Sequence, residues 1–161
     1  WKKVGYGTTV KPDKYDSALL YGLEAGKYRL ALKTPKDQII NVEYTRDKSK
    51  KKAAYKKSKA IHLKSDIDSI YTSTEKAARW YKASVSSTKK RKAVTLSKDS
   101  VGGGFKFCVY QKGKRLKTVK VTKNDKVKTV KLPKKKGAYY VKVTKLTSKT
   151  TGAYYLGTYT Y

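Results

Sequence analysis

Phe105-Lys106-Phe107-Cys108-Val109-Tyr110-Gln111, followed at once by Lys112-Gly113-Lys114, alternates its side chains. Phe105, Phe107 and Val109 fall on one side, and Lys106 and Tyr110 on the other. Period two over six or seven residues is the pattern of a strand with one face in a core and one in water. The Lys-Gly-Lys that ends it is a turn signal. Working outward, the same alternation recurs. Val119 pairs with Val121, Val130 with Leu132, and Tyr139 with Val141 and Val143, while lysine and threonine fill most of the intervening places. Toward the N-terminus, Tyr81, Ala83 and Val85 share one side, and Trp80, Lys82 and Ser84 take the other.

Turn residues punctuate these runs at Gly102-Gly103-Gly104, Asn124-Asp125, Pro133 through Gly137, and Gly152. Strands of five to eight residues joined by short turns predict an all-β fold, an antiparallel β-sandwich. The glycine triplet has no following lysine and helix to make it a phosphate loop, and reads as a flexible hairpin. The one weak helical signal lies near residues 48–59, a short linker or helical turn within the basic run Asp47 to Lys59. That run has three readings: a solvated loop, an anion-binding segment, or a short helix across a sheet end.

Composition bounds the function. The chain has 161 residues with 41 Lys and Arg against 11 Asp and Glu, a net charge of +30. Its 38% hydrophobic and 12% aromatic content supplies a core, so the charge does not make it a disordered tail. No apolar run approaches the ~18–20 residues that cross a bilayer. The opening Trp1-Lys2-Lys3-Val4-Gly5-Tyr6 has neither an apolar leader core nor an initiator methionine, and reads as the start of a processed or excised piece.

Only five of the 41 cations are arginine, leaving 36 lysines. Lysine is a hydrated point charge without the planar fork that reads guanine edges, which argues against sequence-specific nucleic-acid recognition. Fifteen tyrosines against two phenylalanines suit rings with one end in water. An AT-rich coding sequence would give the same enrichment.

Catalytic chemistry has little to stand on. Cys108 is the single cysteine, so there is no intrachain disulfide and no cysteine-based zinc site. His62, the single histidine, lies in Ala60-Ile61-His62-Leu63 and reads as a strand residue rather than the base of a Cys/His pair. Asp66 and Asp68 read as a turn with side-chain-to-backbone hydrogen bonds, ahead of calcium or acid–base use.

A faint repeat is present. Gly26-Lys27-Tyr28-Arg29-Leu30-Ala31-Leu32 matches Gly137-Ala138-Tyr139-Tyr140-Val141-Lys142-Val143, and Tyr44-Thr45 matches Tyr159-Thr160. Residues 1–45 are therefore either part of a preceding β-sandwich repeat or extra strands of one larger sandwich. Residues 46–59 are a basic linker, and 60–161 a β-sandwich domain.

Four stretches together resemble the bacterial pre-peptidase C-terminal domain: Ala78-Arg79-Trp80-Tyr81-Lys82-Ala83-Ser84-Val85, Gly104 through Lys114, Lys136 through Val143, and Thr151-Gly152-Ala153-Tyr154-Tyr155-Leu156. More narrowly they resemble the lysine-rich tandem copies on secreted and surface proteins of Gram-positive gut bacteria. The match covers residues 76–161. The resemblance implies a jelly-roll-like sandwich in which the Trp80-Tyr81 strand supplies a large aromatic to the core. It also implies a secreted or cell-surface setting. Some members carry an acidic pair with a calcium role before the central glycine turn; here those places hold Lys106 and other non-acidic residues, so no metal or other cofactor is expected.

The reading is a non-catalytic extracellular module, acting as spacer or as adhesion or binding module for host protein, glycan or anionic cell-wall polymer. An accessory domain of a secreted peptidase or other hydrolase is one alternative, and a basic nucleic-acid-binding protein another. The residues expected to meet a polyanion or partner are Lys50, Lys51, Lys52, Tyr55, Lys56 and Lys57 in the basic run, and Lys106, Tyr140, Lys142 and Tyr155 on strands. Nothing in the sequence sets an oligomeric state.

Overall fold

The computed structural model describes residues 27–33, 42–43, 53–64, 69–72 and 78–161. Among them are one 3-10 turn, Lys57–Lys59, and nine strands: β1 (Ile61–His62), β2 (Ser69–Thr72), β3 (Arg79–Val85), β4 (Lys92–Gly102), β5 (Phe105–Gln111), β6 (Lys114–Val121), β7 (Val127–Lys131), β8 (Gly137–Lys145) and β9 (Thr151–Thr160). They form a five-stranded sheet, β1-β3-β8-β5-β6, and a four-stranded sheet, β2-β9-β4-β7. Consecutive strands lie in different sheets everywhere except at the β5–β6 hairpin, which is the alternation expected of a jelly-roll-like sandwich.

The alternation read from the sequence is the alternation of burial. Tyr81, Ala83 and Val85 of β3, Tyr139, Val141 and Val143 of β8, and Phe105, Phe107 and Val109 of β5 all face the core. Register places them opposite one another, with Tyr81 against Val141 and Phe107 against Val143. Val94 and Leu96 of β4, Val130 of β7, and Tyr154 and Leu156 of β9 close the core from the other sheet. Each large apolar side chain so buried contributes about 1.5–3 kcal/mol. The aromatic that the Trp80-Tyr81 strand gives the core is Tyr81; Trp80 points away from it. Tyr81 and Tyr154 share a buried 2.6 Å hydroxyl–hydroxyl hydrogen bond that joins the two sheets, and the Tyr154 ring meets Phe105 edge-on at 4.9 Å.

Lys112 and Gly113, at φ 47° and 80°, make the two-residue loop of the β5–β6 hairpin, both in the left-handed conformation that such a loop needs. The Gly102–Gly104 run departs from expectation. It is a tight corner between sheets rather than a flexible hairpin. Gly103 has φ +71°, a Cβ on Gly104 would strike the Val121 carbonyl, and the buried Thr150 hydroxyl accepts from Gly104 N at 3.2 Å and donates to Gly104 O at 3.0 Å. Gly152 also differs, lying inside β9 while the preceding turn runs through Thr147–Thr150, closed by Thr150 N donating to Thr147 O. The sheets are antiparallel but for one short pair: β1 runs parallel to β3, because the chain visits β2 in the opposite sheet between them.

Residues 27–33 are exposed and carry no strand, whereas the matching Gly137–Val143 opens β8. Gly26, Tyr44, Thr45, Asp66 and Asp68 lie outside the described residues. In the basic segment, Ala54 is buried and its carbonyl accepts from Trp80 N at 2.8 Å, so residues 53–60 run along the β3 edge.

Candidate binding face

The outer face of the five-stranded sheet collects the residues that alternate with the core. β3 contributes Trp80, Lys82 and Ser84; β8 contributes Tyr140, Lys142 and Thr144; β5 contributes Lys106, Cys108 and Tyr110. Register sets their arrangement. Lys82 stands opposite Tyr140, which stands opposite Tyr110; Trp80 stands opposite Lys142, which stands opposite Cys108; and Thr144 stands opposite Lys106.

Trp80 and Tyr110 start two strands apart, yet their rings meet over β8 with centroids 5.5 Å apart and planes tilted by 44°. Lys142 Nζ sits 5.5 Å from the centre of the Trp80 ring. Lys57, from the 3-10 turn, reaches across β3 to place its ammonium 4.7 Å from the centre of Tyr140. These cations therefore rest on ring faces, where the ring quadrupole attracts them. Cys108 is buried on this same side, its thiol 3.4 Å from the Thr118 hydroxyl. Burial first, and then the neighbouring Cys108 thiol, push the Tyr110 phenol above its ordinary value, while Arg115 pulls it partly back.

Lys106, Tyr140 and Lys142 thus lie on one sheet face, and Lys57 reaches it from the 3-10 turn. Lys56 and Tyr55 are exposed on the segment leading to the 3-10 turn. Lys50, Lys51 and Lys52 lie outside the described residues. Tyr155 belongs to β9 of the other sheet, opposite Ser97 of β4, and cannot act with Tyr140 or Lys142 on one ligand surface. Trp80, Tyr110 and Lys82 were not singled out from the sequence as contact residues. Their outward position was readable from the alternation, but the meeting of Trp80 with Tyr110 required knowing that β8 lies between their strands.

His62 is a β1 residue whose Nε2 lies 3.0 Å from the Ser84 hydroxyl. β3 and β8 stand between β1 and β5, and His62 is level with Tyr110 rather than Cys108, so three strand steps of about 4.8 Å and two residues along the strand put His62 and Cys108 roughly 16 Å apart. They form no nucleophile–base pair. Among the described residues there is no group of three or more His, Cys, Asp or Glu arranged to hold a metal ion, and no helix long and apolar enough to cross a membrane.

No protein-family model matches the sequence, and no curated protein matches it. Among solved structures, the chain is similar to the pre-peptidase C-terminal domain of collagenase from Bacillus anthracis, at 15% identity and a TM-score of 0.49, covering 62% of this chain and 94% of that one. Strand order, register and burial by themselves define the two-sheet sandwich.

Proposed function

We propose that residues 60–161 are a non-catalytic β-sandwich module of a secreted or cell-surface bacterial protein, acting by binding a partner through one sheet face. The observation that carries this reading is the outer face of the five-stranded sheet, where Trp80, Tyr110 and Tyr140 are set among half-buried lysines. Rigid rings with polar tips give contact area at low entropy cost. The charge around them favours an acidic host protein, an acidic glycan or an anionic wall polymer. The motif resemblance of residues 76–161 to the pre-peptidase C-terminal domain supports the extracellular setting, and equally supports an accessory role beside the catalytic domain of a secreted hydrolase. The domains that neighbour this module in its parent protein discriminate between the two.

The test is a binding profile of the full chain on glycan and host-protein arrays at physiological salt. Retention on a defined subset is expected, with loss on Trp80→Ala. Silence on both arrays removes the binding role and leaves a spacer.

A further inference from the structure

The outer face carries its lysines in an order that the strand register defines. Lys82 on β3 is opposite Tyr140, two residues before Lys142 on β8; Lys142 is opposite Cys108, two residues after Lys106 on β5. Lys82, Lys142 and Lys106 therefore step diagonally across three adjacent strands. With strands about 4.8 Å apart and two residues spanning about 6.8 Å, each step is about 8 Å between Cα atoms. All three are half-buried, and none has an ion-pair partner among the described residues.

Two further features narrow the ligand. First, the ring faces of Trp80 and Tyr140 already hold the ammonium groups of Lys142 and Lys57. A nucleobase stacking on either ring would have to displace a cation, whereas an anionic group meets Lys142 where it stands, with part of its rotamer freedom already removed. Second, hydroxyls flank the two ends of the diagonal: Ser84 lies beyond Lys82 on β3, its Oγ 3.0 Å from His62 Nε2, and Thr144 lies opposite Lys106, its Oγ1 donating to the Lys106 carbonyl at 3.4 Å, so each keeps lone pairs for a further partner. Hydroxyls both donate and accept, which suits the hydroxyls of a sugar more than a bare phosphate chain.

From this we infer that the diagonal Lys82–Lys142–Lys106 is a binding track for a linear acidic polysaccharide, carboxylate or sulfate groups meeting the ammonium heads and sugar hydroxyls meeting the serine and threonine. The inference rests on the binding-module reading above and names its ligand class.

The experiment titrates the full chain with a size-fractionated heparin oligosaccharide at about 0.15 M salt, near physiological ionic strength. Parallel arms use a single-stranded oligothymidylate of equal charge and neutral dextran. The triple variant K82Q/K106Q/K142Q is compared with K134Q/K136Q/K149Q, which removes the same charge from exposed loop positions. Thermal melts are used to check that both variants fold. The expected result is a loss of heparin affinity of about tenfold or more in the first triple and about twofold or less in the second. Trp80→Leu, which changes no charge, costs about threefold by removing the support under Lys142. Equal losses in the two triples overturn the track and assign binding to the overall charge. Tighter binding of oligothymidylate than of heparin overturns the polysaccharide class. Array binding without heparin binding overturns this inference and leaves the module reading standing; absence of both overturns the two together.

Discussion

Four tyrosines show how one residue type is put to different uses by its surroundings. Tyr81 and Tyr154 meet hydroxyl to hydroxyl at 2.6 Å in the core and so satisfy there the polar ends of two buried rings. Tyr139 is fully buried, and its hydroxyl donates to the backbone carbonyls of Lys135 at 2.9 Å and Pro133 at 3.3 Å, tying the loop before β8 to the core. Burial pushes the Tyr139 phenol above its ordinary value, with Gln111 opposing, and Tyr110 is raised by burial and by Cys108. A folded-state pKa above the unfolded value of about 10 means that the contribution of each phenol to stability is whole below that pH and is lost as pH rises through the folded value. Alkaline difference absorbance is expected to show buried phenols titrating after the exposed tyrosines, with Tyr139→Phe and Tyr110→Phe each removing one late step. Titration of every tyrosine in one transition near pH 10 would contradict this. The alternation around Tyr139 marked it as a core residue; its hydroxyl partners were not readable, because they are carbonyls of a loop whose path is set only when β7 and β8 have taken places in different sheets.

At the scale of elements, β3, β5 and β8 were readable because each is paired on both sides and packed on one face, which leaves a clean period of two. β6 was less so. Its residues from Lys114 to Thr118 are exposed, and only Val121 is buried, because it is the edge of the five-stranded sheet. Lysines at 114, 117 and 120 blunt that edge against pairing with another chain. The Asn124-Asp125 turn behind it is held by the Asp125 carboxylate, which accepts from Thr122 N at 2.9 Å and Thr122 Oγ1 at 2.7 Å and pairs with Lys128 at 2.7 Å. The hydrogen bond from Lys128, followed by those from Thr122, keeps that carboxyl well below the usual range. The glycine corner between β4 and β5 carries the sharpest element-scale prediction. Gly104→Ala directs a methyl at the Val121 carbonyl, a backbone atom that cannot rotate away. It is expected to lower unfolding free energy by about 1–3 kcal/mol, read from the shift in denaturant midpoint; an unchanged midpoint would show that the corner relaxes. Thr150, the buried hydroxyl that holds this corner, gave no sequence signal, being one threonine among many on a lysine- and threonine-rich chain.

For the molecule as a whole, the dominant quantity is +30 on 161 residues. Like charges at this density repel one another in the compact state more than in the expanded one. Added salt shortens the screening length from about 30 Å at 0.01 M to about 8 Å at 0.15 M, so the melting temperature is expected to rise over that range. A melting temperature that falls with salt would show that attractive pairs, of the Asp125–Lys128 kind, outweigh the repulsion. Local chemistry alone determined the strand class, the inward and outward sides of β3, β5 and β8, the two-residue hairpin turn and the cationic character of the surface. Each of these follows from period-two alternation, glycine backbone freedom or composition, none of which depends on what lies across the sheet. Tertiary structure decided the order β1-β3-β8-β5-β6, the separation of Tyr155 from Tyr140, the distance between His62 and Cys108, and the meeting of Trp80 with Tyr110 above β8. Those are relations between residues distant in sequence, and only the order in which the strands pair, and the sheet each joins, decides which of them meet and which stay apart.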